Sequence, residues 1–197
     1  MALGTTKLQA VNTMLSTIGE APVNSITTPQ AADVAIAINV LDEITRHVQA
    51  DGWDFNTECE YELTPDSSNE ITLPSDTLAV RATNRWSDKL TTRGNKLYNI
   101  EDANYTWTSN VEVTLVRELD FEDMPEPAKQ YVMLRAARIF RQRTMDDLQD
   151  RVPTEEEFRA LADLRNYDSR GSDMRISDSY PIGRITRRPS PMDGHLQ

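Results

Sequence analysis

A chain of 197 residues can bury one well-packed core and carry a smaller inserted module without disulfides or structural metals. The single cysteine, Cys59, excludes an internal disulfide, and His47 and His195 are too few for a site of zinc-ligand spacing. Thirty-two acidic against 21 basic residues leave a net charge of −11, which argues against a general nucleic-acid binder, because neutralising phosphates needs a basic face.

No run approaches the ~18 consecutive apolar residues of a membrane span. The opening MALGTTKLQA lacks the charged head and apolar core of a signal peptide, so a cytosolic product with no membrane association is expected. The acidic excess is uneven. Residues 1–63 carry nine acids and two bases and residues 118–163 twelve and seven, whereas residues 171–197 carry three and four.

In chain order, Leu8, Val11, Met14, Leu15 and Ile18 recur at helical spacing and predict a first helix ended by Gly19 and Pro22. Thr28 followed by Pro29 reads as the opening of a second helix, whose stripe is Val34, Ile38, Leu41, Ile44 and Val48. The period then changes. Cys59, Tyr61 and Leu63 alternate with Glu58, Glu60 and Glu62, as in a half-exposed strand with its glutamates on one face. EITLP, LAVRAT, KLTTRGNKLYN and NVEVTLVREL extend this into several short strands, with Arg93-Gly94-Asn95-Lys96 as a hairpin turn.

Helical spacing resumes after LDFEDMPEP, where Phe121 and Met124 staple the entry and the acids favour a helix N-terminus. The third helix carries Met133, Ala136, Ala137 and Phe140. A fourth opens on a capping box from Thr154 to Glu157 before Phe158, Leu161 and Ala162. Beyond Gly171 there is no amphipathic period, and an extended or disordered tail is expected. The fold class predicted is α+β: a four-helix bundle (1–56 and 119–170) interrupted by an antiparallel β module (57–118), with a C-terminal tail (171–197).

AVNTMLSTIGEAPVNSI, LPSDTLAVRA, RGNKLYN and above all LDFEDMPEPAKQYVMLRAARIFRQR, in this order between about Leu8 and Arg143, resemble the tail tubular protein A family of short-tailed phages, the head-to-tail adaptors or gatekeepers. The resemblance implies a structural virion protein in the tail, assembled in the host cytoplasm. It implies a twelvefold ring below the portal protein, with tail tubular protein B, the nozzle, beneath it and tail fibres docking near the junction. DNA would pass through the centre without specific binding, and no cofactor or metal is implied. Acidic residues of the two helical zones would then face the lumen and repel DNA; the alternative is a solvated acidic surface.

Ring closure needs two different surfaces per subunit. Arg135, Arg138 and Arg141 lie on neighbouring turns and form one candidate for such a surface, against intrachain pairing with Glu155, Glu156 or Glu157. In the tail, Ile182, Arg184, Ile185, Arg187 and Arg188 suit an extended segment that orders on the portal. A second reading adds hydrolysis of glycan or peptidoglycan by a pair of carboxylates, with Glu58, Glu60 and Glu62 as the candidates.

Overall fold

The computed structural model describes residues 4–27, 31–83, 89–145 and 152–178, with side chains as far as Arg170. Helix α1 (Lys7–Ser16) opens on a reciprocal cap. The Thr6 hydroxyl accepts from the Gln9 amide while Gln9 Oε1 accepts from the Thr6 amide, so two otherwise orphaned donors are satisfied. Helix α2 (Ala32–Gln49) starts with Ala31 in the cap position and no side-chain cap. Thr28 and Pro29, the expected opening, lie outside the described residues.

Helix α3 (Glu126–Met145) is the hub of the helical layer: α1, α2 and helix α4 (Glu155–Asp178) all pack on it, and α1 also packs on α2. Most of the two predicted stripes is buried, with Val11, Met14 and Leu15 of α1 and Val34, Leu41, Ile44 and Val48 of α2 in the core that also holds Phe140, while Leu8, Ile18 and Ile38 are half-buried. Phe121 and Met124 close its lower edge, as a staple would.

The fourth helix turns a different face inward. Glu157, Ala160 and Leu164 are buried, while Phe158, expected in the core, is 57% exposed and Ala162 is also outside. The cause is Glu157. Its amide donates to the Thr154 hydroxyl as predicted, but its carboxylate turns to Arg138 of α3, and this fixes the helix rotation. The helix also runs on past Gly171 to Asp178, so the first eight residues assigned to an extended tail are helical.

Three antiparallel strands, β1 (Thr57–Leu63), β2 (Thr77–Ala82) and β5 (Val111–Arg117), form a sheet in the order β1-β5-β2. Strands β3 (Leu90–Arg93) and β4 (Lys96–Asn99) make a separate hairpin, whose two-residue turn has Gly94 at φ +62, as the sequence predicts. EITLP makes single bridges through Glu70 and Thr72 rather than a strand, and it buries Ile71 and Leu73 with Leu97, Trp107, Val111 and Val113 in a second core.

The alternation expected along β1 fails at one point. Glu58 pairs with Leu115 and Tyr61 with Val113, so β1 holds an extra residue there, and Glu60 adopts φ +56. Opposed residues share a face of a sheet. Glu58 therefore shares a face with Leu115, whereas Glu62, opposite Glu112, lies on the other face, and Cys59 is exposed. The left-handed backbone at Glu60 costs roughly 1 kcal/mol for a residue with a Cβ. Glu60→Gly is thus expected to stabilise the chain by about 0.5–1 kcal/mol in urea denaturation, although glycine weakens ordinary strand positions.

Candidate functional site

Two of the buried polar side chains among the described residues, Gln49 and Asn56, lie where the helical layer meets the β module. Gln49, in the last turn of α2, is wholly buried: its Nε2 donates to the Leu119 carbonyl at 2.9 Å and its Oε1 accepts from the Leu119 amide at 2.8 Å. Asn56, at the end of a 3-10 turn over Asp54–Asn56, donates to the carbonyls of Gln49 and Arg117 and accepts from the Trp53 amide. These two amides tie the outgoing segment to the returning one. Gly52, at φ +76, brings the backbone so close to β5 and β2 that a Cβ would lie 2.8 Å from Arg81 and 3.1 Å from Val116.

On β5 beside this neck, Arg117 holds the sheet together. Its Nη1 bonds Asp76 before β2 at 2.8 Å, and its Nε lies 3.1 Å from Glu58 of β1 without hydrogen-bond alignment. Glu62 accepts from Asn110. The carboxylates proposed for hydrolysis are therefore split by the bulge, and Glu58 and Glu62 are engaged in holding strands.

The acids before α3 serve a helix far away in sequence. Glu122 accepts from the Lys7 amide, and Glu126 from the amide and hydroxyl of Thr5 and from Gln130. They place negative charge at the N-terminus of α1, where its dipole favours it. Burial acts to raise the Glu126 pKa, but the bonds from Thr5 and Gln130, with Lys129 nearby, outweigh it and hold the carboxyl below its ordinary value of 4.5.

A depressed carboxyl contributes stability that is present above the unfolded value and lost as pH falls through the folded one. On exposed Glu43, the hydrogen bond from Arg143 is the largest cause of a shift in the same direction. Glu126→Gln is accordingly expected to lower the melting temperature near neutral pH and to flatten its decline below about pH 4.5, followed by circular dichroism.

The predicted arginine row is divided in the structure. Arg138 is taken within the chain, in a fork on Glu157 with Nε–Oε2 at 2.6 Å and Nη2–Oε1 at 3.0 Å; the two side chains are only 12% and 5% exposed. Arg135 donates to the Tyr131 hydroxyl at 3.2 Å and lies over its ring, and Arg141 is at the surface. Ile182, Arg184, Ile185, Arg187 and Arg188 lie outside the described residues. One groove of about 660 Å³ runs between α3 and α4, lined by Glu126, Gln130, Leu134, Glu156, Ala160 and Asp163 among others. No helix among the described residues is long and apolar enough to cross a membrane.

What these features define is a small α+β subunit whose polar side chains join layers, cap helices and clamp strands. The chain belongs to the tail tubular protein family, whose model matches residues 8–174 and so takes in both layers, and it is thereby a structural component of a viral tail. It is also similar to tail tubular protein A of Klebsiella phage KP34, with 33% identity over 126 residues, 64% of this chain and 66% of that protein. The match thus spans just under two thirds of that relative's length.

Proposed function

We propose that the chain is the head-to-tail adaptor of a short-tailed phage, a subunit of a twelvefold ring that joins the portal to the nozzle and surrounds the path of the ejected DNA. The observation that carries this reading is the family match over residues 8–174, which includes every helix and strand that builds the two cores. Net charge supports it as well, since a chain at −11 repels a passing duplex rather than holding it.

The four helices centred on α3 would form the body of each subunit. Arg135 and Arg141, which flank the covered Arg138 on α3, would meet the next one, and residues 182–188 would attach to the portal. Arg138 is unsuited to testing that contact, because reversing its charge disturbs the fold itself.

The reading is tested in the virion. A phage made without this chain is expected to fill heads that carry no tail and leak DNA; tailed particles that retain their genome would refute it.

A further inference from the structure

We propose that the groove between α3 and α4 is a docking site for an amphipathic helix of another protein, with aliphatic side chains on the groove floor and a cation every two turns against its acidic rim. The floor is apolar, made by Pro127 and Leu134 of α3 and Ala160 of α4, and Glu126, Glu156 and Asp163 stand around it. Glu156 and Asp163 are exposed, and neither is paired with a base among the described residues. The base on their wall, Arg159, is drawn to Glu155 one turn away. Glu126, on the facing wall, is bonded to Thr5 and Gln130, so the first two carboxylates are the ones open to a partner.

Charge and spacing select the occupant. An anionic rim repels nucleic acid and acidic glycans and attracts a basic protein segment. Glu156 and Asp163 are two turns apart on α4, so they share one face and stand about 10 Å apart at ~1.5 Å per residue. A partner helix laid along α4 repeats that distance on one face, which sets two of its cations opposite the two carboxylates. The third and fourth residues after the first cation then point into the groove, where aliphatic side chains meet Leu134 and Ala160. An extended strand repeats one face at about 6.6 or 13 Å and misses one of the carboxylates.

The groove lies wholly within one chain, so its occupancy does not depend on the adaptor reading. It is tested on the full-length chain alone with a labelled synthetic helix, alanine-based, that carries a lysine at every seventh position and paired leucines between the lysines. Fluorescence anisotropy at physiological salt reads the binding, and hydrogen exchange with mass spectrometry locates it.

Saturable binding is expected, with slowed exchange confined to residues 126–134 and 156–163. Glu156→Gln with Asp163→Gln should weaken it at least about fivefold, as should glutamine in place of the peptide's lysines. Removing two charges elsewhere, by Glu20→Gln with Glu112→Gln, should leave it nearly unchanged, because salt screens distant charges. All four glutamine sites are exposed, so these variants keep the fold, which circular dichroism checks. Absence of binding would overturn the proposal, as would equal weakening by the two pairs of variants, the mark of attraction to net charge alone. Protection centred outside the groove would also overturn it. A chain that self-associates without the peptide, and loses that association in Glu156→Gln with Asp163→Gln, would overturn it and assign the groove to a second copy. No portal is present in this experiment, so its failure leaves the adaptor reading untouched, and a failure to bind portal leaves the groove untouched.

Discussion

Replacing Glu157 by alanine is expected to lower folding stability by about 3–5 kcal/mol in urea or guanidinium denaturation, because it removes the carboxylate that forks on the Arg138 guanidinium in a nearly dry site between α3 and α4. The figure reports the cost of breaking a buried ion pair from one side, not the net worth of the pair. Desolvating both ions offsets most of their attraction, so the double variant Arg138→Met, Glu157→Leu is expected to lie within about 2 kcal/mol of the original chain, or above it.

The pair's contribution is positional. A fork of two parallel hydrogen bonds sets the rotation of α4 on α3, which turns Phe158 outward and Leu164 inward. A double variant as unstable as Glu157→Ala would contradict this account.

The second large effect is at the neck. Gln49→Ala removes both partners of the Leu119 amide and carbonyl, and a buried backbone group left unsatisfied costs about 1–3 kcal/mol. The expected loss is about 2–5 kcal/mol. Gln49→Leu separates the causes, since it keeps nearly the same volume and restores no hydrogen bond. If Gln49→Leu recovered the stability, the loss would stem from the cavity and the layers would not be joined through these bonds.

Much of the helical layer was legible because burial and periodicity are the same signal there: Val11, Met14 and Leu15, then Val34, Leu41, Ile44 and Val48, are apolar at helical spacing and face one core. The hairpin was legible from Gly94, whose backbone angle few other residues adopt. What could not be read depended on partners distant in the chain. Gln49 looks like a surface residue in a last helical turn until Leu119 is brought against it, and Glu126 looks like a cap for its own helix until Thr5 arrives.

The inserted residue in β1 left no trace in TECEYEL, where simple alternation was an equally good description. Helix α4 past Gly171 went unread for a related reason. Gly171, Ser172 and Ser177 are weak helix formers, glycine costing about 1 kcal/mol against alanine, yet the helix continues through them to Asp178. Of the site residues, Arg138 was placed on the right element, and its partner was among the three glutamates that spacing had offered.

The measurement that bears most directly on the adaptor account is the mass of the purified chain, alone and mixed with the portal ring, by light scattering on a sizing column. The account predicts a stable complex in which each portal ring gains twelve chains of 22.4 kDa. A folded chain that elutes apart from the portal at every ratio tried would contradict it.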